Sequence, residues 1–262
     1  TFFKRRIIRL HPMVIMGSIV GAAFFYFQES SCFPPIENTS IGTMLLVMLL
    51  GCTLLPLPLK FDIRGWTEMH PLNGPAWSLY YEYIGNILYA LFVRKFNKVA
   101  LSVLVFVAGC FTVYRCLTAP AGDIVGGWAL NWEQQYVGMV RLMYPFFGGL
   151  LLSRLGWLIR LEKRAFWWCS LLIVVVLSIP RIGGEDGYWM NGLYEAFCII
   201  CIFPVIVSMG AGGKVTGKRS TAVCKFLGDI SYPIYITHYP LVYTYTAWVC
   251  NITLQWQKVS LI

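Results

Sequence analysis

Apolar segments of roughly the length of a membrane-crossing helix recur along most of this chain. A transmembrane helix needs about 20 mainly apolar residues. Eight stretches approach that length, namely 10–27, 41–59, 77–93, 99–117, 136–153, 166–180, 188–209 and 231–250. Hydrophobic residues make up 58% of the chain and charged residues only 13%, a balance that excludes an ordinary soluble domain. The sequence therefore predicts an all-α, polytopic membrane bundle of about eight helices.

The connections between these segments are short, and none has the composition of an interdomain linker. We therefore expect residues 1–262 to form a single integral-membrane domain. The net charge of +9 lies mostly in these connections, where Lys and Arg side chains meet lipid headgroups. This distribution predicts membrane lipids as partners and excludes a nucleic-acid-binding role.

The distribution of Lys and Arg also predicts an orientation in the membrane. Cytoplasmic connections carry an excess of these residues, and three connections are basic: 94–98, 154–164 and 214–225. Eight full crossings would then place the N-terminal arginines outside, against their own charge. We therefore expect one segment not to cross fully, and segment 41–59, which ends near Pro56 and Pro58, is the first candidate.

Cysteine is frequent in this chain, but its pattern does not indicate a metal site. Most of the nine cysteines lie inside apolar segments. Cys198 and Cys201 form an isolated CxxC without a second pair or a nearby histidine, as a zinc site would need. We expect these thiols to pack inside a helix and predict no metal.

Two local patterns near the ends of segments predict packing and interfacial positions. Gly17 and Gly21 are four residues apart, a spacing that lets a neighbouring helix approach closely. His11 and His70 each precede a proline near the end of an apolar segment, where we expect them to lie at the membrane interface.

Three polar groups of residues interrupt the apolar pattern, and the first is basic. Arg6 and Arg9 are three residues apart and share one helical face at the start of the first apolar segment. Guanidinium groups there can clamp the phosphates of a donor such as coenzyme A through bidentate hydrogen bonds. They can equally anchor the chain to anionic lipid, and the residues alone leave both interpretations open.

The second polar group follows a turn at Asn73 and Gly74. Ser78, Glu82 and Asn86 recur every four residues and form one polar stripe on an otherwise apolar helix. A carboxylate in that position can orient a substrate hydroxyl or a catalytic histidine. It can also pair with an arginine and hold the bundle together, so the role of Glu82 stays open at this point.

The third polar group places Ser231, Tyr235 and His238 on one helical face, which Tyr245 continues two turns later. Histidine suits proton transfer near neutral pH, although a membrane histidine also commonly bonds a neighbouring helix. Arg141 and Glu195 are further charged residues within apolar segments. Each of them can serve in a site or as a structural ion-pair partner.

Taken in order, these segments resemble membrane-bound acyltransferase family 3, whose members transfer O-acyl groups to cell-surface glycans and related small acceptors. Four segments carry the resemblance. Residues 3–12 (FKRRIIRLHP) are similar to the family's RxxR segment, 73–82 (NGPAWSLYYE) to its WSL-x-x-E motif, 141–149 (RLMYPFFGG) to its Arg-to-Gly helix, and 231–238 (SYPIYITH) to its closing SYxxYxxH element.

The resemblance implies a membrane-embedded O-acyltransferase in a bacterial inner membrane. Its donor would be acetyl-CoA or another acyl-CoA, bound as a substrate and not as a permanent cofactor. Its acceptor would be a hydroxyl group of a cell-surface or lipid-linked carbohydrate. The alternative is a transporter or flippase of a lipid-linked glycan, which predicts paired broken helices in repeated halves. A lipid-binding scaffold would explain the basic connections but not the charged residues within the apolar segments.

The resemblance also implies roles for particular residues. Glu82 and His238 would be supporting catalytic groups, and the substrate-binding residues would be Arg6, Arg9, Trp77, Ser78, Arg141, Ser231 and Tyr235. Family members typically have ten helices, with a catalytic-base histidine in the first of them. We therefore expect that histidine upstream of residue 1, and we expect the present chain to be an inactive piece of a longer protein.

Overall fold

The computed structural model describes residues 2–28, 33–181 and 187–259. Within these ranges the regular secondary structure is helical and contains no strand, which confirms the all-α prediction. The chain forms two compact units. The first comprises Thr1–Tyr80, Trp128–Gln135 and Gly228–Ile262, and the second comprises Tyr81–Gly127 and Tyr136–Leu227. A single functional domain over the whole chain stays a prediction.

The first unit is built around helix α1. Its helices are α1 (Phe2–Tyr26), α2 (Pro34–Glu37), α3 (Ile41–Gly51), the start of α4 (Ala76–Leu91), the end of α10 (Lys218–Thr237) and α11 (Tyr239–Val259). Helix α1 packs against both α3 and α11. Buried apolar side chains fill the space between α1, α3 and the chain that follows α3, including Ala22, Phe25, Met44, Val47, Leu57 and Leu72.

Gly17 and Gly21 allow a close approach to α1, as their spacing predicts. A Cβ atom on Gly21 would overlap the backbone of Leu72. A Cβ atom on Gly17 would meet the side chain of Asn73 and the carbonyl oxygen of Ile236 on α10. Because these two positions carry no side chain, both the connection before α4 and helix α10 can pack closely against α1.

Helix α3 is short for a membrane crossing. Ser40 caps its first turn by accepting a hydrogen bond from the backbone N–H of Thr43 at 3.1 Å. The helix ends at Gly51, after 11 residues, so that it rises only about 16 Å at 1.5 Å per residue. Pro56 and Pro58, which lack an N–H, lie in the non-helical chain that follows. This length agrees with the expectation that segment 41–59 does not cross the bilayer fully.

The second unit contains most of α4 and α6 (Trp132–Leu155), together with α5 (Lys98–Thr118), α7 (Ala165–Leu177), α8 (Tyr188–Phe197) and α9 (Phe203–Gly212). Helix α5 packs against α8, and α7 packs against α9. A π-helical turn at Cys198–Ile202 joins α8 to α9, next to Pro204, which cannot donate the usual helical hydrogen bond. In this turn the Cys198 thiol is buried and the Cys201 thiol is exposed, and both are free.

Over the described residues, four helical segments are long and apolar enough to cross a membrane: Arg6–Tyr26, Lys98–Thr118, Trp132–Leu155 and Tyr188–Gly212. Ile41–Gly51 and Ala165–Leu177 are shorter apolar helices. The membrane class is thus confirmed, but the predicted count of about eight segments is not. Predicted segment 77–93 becomes α4, whose 16 residues include the polar stripe. Predicted segment 231–250 is divided at His238, between α10 and α11.

Candidate functional site

The connection between α3 and α4 is held in shape by one aspartate. The Asp62 carboxylate accepts hydrogen bonds from the backbone N–H groups of Arg64 at 3.2 Å, Gly65 at 2.9 Å and Thr67 at 2.8 Å. Gly65 and Thr67 both have positive φ, +77° and +58°, so the chain turns sharply here. The turn fixes the direction in which the next residue, Glu68, leaves the backbone.

Arg64 is almost completely buried, with 2% of its surface exposed. Its Nε donates to the carbonyl of Pro71, and its Nη1 donates to Oε1 of Gln28 at 2.8 Å. The guanidinium carbon lies 3.8 Å from the ring centre of Tyr243 and 5.0 Å from that of Phe25, a cation–π arrangement. Burial lowers the pKa of Arg64 to about 10, which leaves it charged at neutral pH.

Glu68 places a buried carboxyl group in the same cluster, outside the candidate membrane spans. Oε2 of Glu68 accepts a hydrogen bond from the Tyr243 hydroxyl. Burial raises the pKa of Glu68 to about 7, while the Tyr243 hydrogen bond and the charge of Arg64 act in the opposite direction. Both protonation states are therefore populated near neutral pH, which suits a group that exchanges protons.

Glu68 lies in the wall of a pocket of about 480 Å³. Aromatic rings dominate that wall, and the lining residues are Trp66, Trp77, Trp128, Tyr235 and Tyr239, together with Glu68, Gly74, Pro75 and His238. No Lys or Arg is among these described residues. A Cβ atom on Gly74 would collide with the Tyr239 ring and the Tyr243 hydroxyl, so glycine is needed for the rings to approach the turn.

His238 lies at the break between α10 and α11 and lines the same pocket. Its Nδ1 is 2.9 Å from the carbonyl oxygen of Tyr235 and 3.2 Å from that of Ile234. Carbonyl oxygens only accept hydrogen bonds, so a neutral ring carries its hydrogen on Nδ1. The unprotonated nitrogen is then Nε2, which can accept a proton or a hydrogen bond.

A pair of hydroxyl groups joins the first turn of α4 to α10. Oγ of Ser78 lies 2.5 Å from the hydroxyl of Tyr235 and donates to the carbonyl of Pro75 at 2.9 Å. Either hydroxyl can be the donor within the pair, and the Tyr235 hydroxyl also lies 3.5 Å from the carbonyl oxygen of Pro75. This contact fixes the Tyr235 ring at the edge of the pocket.

The structure brings together several of the residues predicted for the site. Trp77, Tyr235 and His238 line one pocket, and Ser78 bonds to Tyr235 at its edge. Ser231 is exposed, and its hydroxyl donates to the carbonyl of Gly228 within α10. The prediction that Tyr245 continues the helical face of Ser231, Tyr235 and His238 is wrong. Helix α10 ends at Thr237, and Tyr245 lies on the following helix with 63% of its surface exposed.

The other predicted residues lie elsewhere. Arg6 and Arg9 are on the early turns of α1, half-buried and exposed respectively, and neither lines the aromatic pocket. Glu82 and Arg141 belong to the second unit. The backbone carbonyl of Glu82 accepts from the Asn86 side chain at 2.8 Å, and Arg141 is a half-buried residue of α6. The functional roles assigned to these residues stay predictions.

Sequence reasoning missed the cluster in the connection before α4. Its charged members, Asp62, Arg64 and Glu68, resemble ordinary charged residues of a surface loop. The only signal of a site in the sequence is that they lie close to Trp66 and His70. His70, expected at the interface, is buried with 3% of its surface exposed, and its Nε2 lies 3.2 Å from the carbonyl of Leu54. Burial lowers the pKa of His70 to about 4, so the ring is neutral at physiological pH.

Comparison with known proteins gives one finding. A family model described as an acyltransferase domain matches residues 1–262. No curated protein and no solved structure gave a significant match. The family match does not favour the transporter alternative, and the expectation of an inactive piece finds no support in it.

Proposed function

We propose, because the chain belongs to the acyltransferase domain family, that it transfers an acyl group from acyl-CoA to a hydroxyl group of a cell-surface or lipid-linked carbohydrate. Its apolar helices make it a multi-pass membrane protein. We assign it to the bacterial inner membrane, with acetyl-CoA as the donor, bound as a substrate during each turnover.

The aromatic pocket of the first unit is the observation that carries this proposal. Tryptophan and tyrosine rings offer apolar faces with polar edges, which suit a sugar ring bearing both C–H faces and hydroxyl groups. The volume of about 480 Å³ lies within the range of about 300–1,000 Å³ for small-molecule sites. Because Glu68 is acidic and the lining residues that the structure describes include no Lys or Arg, the site suits the hydroxyl acceptor better than the donor's phosphates.

The reaction requires a base near the acceptor hydroxyl. The hydroxyl oxygen attacks the thioester carbonyl, a C–O bond forms, the C–S bond breaks, and the thiolate of coenzyme A takes up a proton. The proton that leaves the hydroxyl passes to the base. Within the pocket, Nε2 of His238 and the Glu68 carboxylate would accept hydrogen bonds from the acceptor and orient it.

We assign the donor's phosphates to Arg6 and Arg9. These arginines share a face at the start of α1, and Arg9 is exposed, so bidentate hydrogen bonds to phosphate are sterically open. Glu82 would orient a partner of the reacting groups, and Arg141 and Ser231 would contribute further substrate contacts.

The test uses the protein in membranes supplied with radiolabelled acetyl-CoA. Label in glycan or glycolipid is compared between the unmutated protein and variants of equal abundance, Arg9→Ala, Glu82→Ala and Glu68→Gln. We expect transfer by the unmutated protein and a loss of about tenfold or more in each variant. Arg160→Ala, which removes an exposed arginine, is the matched control for Arg9→Ala. No transfer by the unmutated protein, with short and longer acyl donors alike, would contradict the proposal.

A further inference from the structure

Four rings of the first unit form a continuous curved row beside Glu68. The rings of Trp66 and Tyr239 both pack edge to face on Tyr243, with centroids 5.2 Å and 4.8 Å from its centroid. The ring of His238 packs edge to face on Tyr239 at 5.6 Å. Successive rings are inclined by 69° to 89°, so the row curves and offers no single flat stacking surface. We call these four rings the aromatic arc.

Two hydrogen-bond acceptors belong to the wall of the aromatic pocket beside this arc. One is the carboxyl group of Glu68, and the other is Nε2 of His238, since Nδ1 of that ring lies against the carbonyl oxygens of Ile234 and Tyr235. A ligand group that brings both N–H donors and a positive charge would satisfy these acceptors through charge-assisted hydrogen bonds.

The positive charge of Arg64 does not neutralise the acidic groups of this cluster. Glu68 interacts electrostatically with both Arg64 and Asp62, so two carboxylates share one guanidinium, and one net negative charge is left when Glu68 is ionised. Arg64 and Tyr243 are only 2% and 1% exposed, and neither is among the described residues that line the pocket. A cation in the pocket therefore meets the carboxylate of Glu68 without meeting the guanidinium.

We propose that the aromatic pocket binds an ammonium group of the carbohydrate acceptor, which makes the acceptor an amino sugar with a free amino group. The ammonium group would lie against the aromatic arc, where ring faces attract a cation, and would donate to Glu68 and to Nε2 of His238. The sugar ring would contact Trp77 and Trp128, which also line the pocket. This inference rests on the proposed function, which places the acceptor in this pocket.

The charge of the pocket argues against other acceptors. A sugar with a carboxylate or phosphate would bring a second negative charge to Glu68, and the described lining residues include no Lys or Arg to compensate it. A neutral or N-acetylated sugar would leave the net negative charge of the cluster as it is. A quaternary ammonium group would contact the rings, but it has no N–H to donate to Glu68 and His238.

The test titrates the purified protein in detergent, at neutral pH and without acyl donor, with three sugars that share one hexose ring: glucosamine, glucose and glucuronic acid. Tryptophan fluorescence reports binding, because Trp66, Trp77 and Trp128 line the pocket. We expect glucosamine to bind at least about tenfold more tightly than glucose, and glucuronic acid to bind more weakly than glucose. Equal affinities for glucosamine and glucose would overturn the proposal, as would no saturable binding of any of the three.

Glu68→Gln assigns the preference to one side chain. Glutamine keeps an acceptor for Tyr243 but removes the charge, so we expect the preference for glucosamine over glucose to disappear while the affinity for glucose is unchanged. Glu37→Gln, which removes an exposed carboxyl group of α2, is the matched control and should keep the preference. A preference that survives in Glu68→Gln would overturn the role of Glu68. If Glu68→Gln fails to fold, the comparison of sugars in the unmutated protein still decides the proposal.

Failure of this inference is distinguishable from failure of the proposed function. The same preparation of unmutated protein is assayed for transfer of label from acetyl-CoA. Transfer without a preference for glucosamine would overturn the inference and leave the proposed function standing. A preference for glucosamine without transfer to any carbohydrate would contradict the proposed function and support an ammonium site in the aromatic pocket.

Discussion

Tyr243 of α11 donates its hydroxyl hydrogen to the carboxylate of Glu68, a residue of the connection between α3 and α4. The ring of Tyr243 also covers the buried guanidinium of Arg64. One aromatic side chain thus contacts a buried cation with its face and a buried carboxyl group with its hydroxyl. The hydrogen bond fixes the orientation of the carboxyl group in the wall of the aromatic pocket.

Glu68→Gln should change how stability depends on pH. Burial raises the pKa of Glu68 from 4.5 to about 7, so the folded state holds this proton more tightly than the unfolded chain. Stability therefore falls as pH rises from about 4.5 to 7, with a full cost of about 3 kcal/mol above that window at 1.36 kcal/mol per pKa unit. Glutamine keeps an acceptor for Tyr243 without the charge. We expect Glu68→Gln to gain thermal stability over the unmutated protein at pH 8 but not at pH 4.5, as measured by unfolding in detergent.

The control for that experiment is Glu37→Gln, which removes an exposed carboxyl group of α2. It should shift the unfolding temperature by the same small amount at both pH values. Parallel pH profiles for Glu68→Gln and the unmutated protein would show that the carboxyl group of Glu68 titrates normally, and they would contradict the prediction.

The part of the pocket that the sequence predicts comes from regular helices. Trp77 and Ser78 lie on the first turn of α4, Tyr235 lies near the end of α10, and His238 directly follows that helix. Helical spacing shows from the sequence alone which of these side chains share a face. Their convergence was therefore predictable once the two segments were assigned to one site, although the helix break at His238, two residues before Pro240, was not.

The acidic part of the pocket comes from a non-helical connection. Such a connection has no hydrophobic periodicity from which the direction of a side chain could be predicted. The position of Glu68 depends on the turn around Asp62 and on its contact with Tyr243, while the neighbouring Arg64 contacts Gln28. Both Tyr243 and Gln28 are remote in sequence. Such contacts are decided by tertiary packing and leave no local pattern. The predicted number of spans is not confirmed for a related reason, since apolar composition alone does not show where α3 stops.

Tyr235→Phe and Ser78→Ala should each weaken the protein by about 1 kcal/mol, the usual net value of a hydrogen bond. The 2.5 Å contact between their hydroxyl groups joins α4 to α10, so the double variant should lose less than the sum of the single variants. Denaturant unfolding in detergent measures the free energy of unfolding of the unmutated protein, the two single variants and the double variant. Tyr245→Phe, at an exposed position of α11, should change nothing. Strict additivity of the two losses would contradict the contact.

Gly21→Ala should destabilise the protein by more than about 2 kcal/mol, because the added methyl group would overlap the backbone of Leu72, which cannot move as a side chain does. Gly228→Ala is the matched control. It adds the same methyl group to a helical glycine with open space around it, and it should stabilise by up to about 1 kcal/mol through helix propensity. Thermal unfolding of both variants distinguishes the two effects. Equal unfolding temperatures for the two would mean that the connection before α4 does not pack closely on α1.

Trp128→Ala should raise the KM for the carbohydrate acceptor by about tenfold while kcat stays nearly constant, because one aromatic wall of the pocket is lost and an aromatic contact is worth about 1 kcal/mol beyond its buried area. The hydrogen bond that holds this position runs from the N–H of Met69 to the carbonyl of Trp128 at 2.8 Å, and alanine preserves it. Trp132→Ala is the control, since Trp132 is 87% exposed and does not line the pocket. Steady-state transfer at varied acceptor concentration measures both. An equal KM for Trp128→Ala and the unmutated protein would place the acceptor outside this pocket.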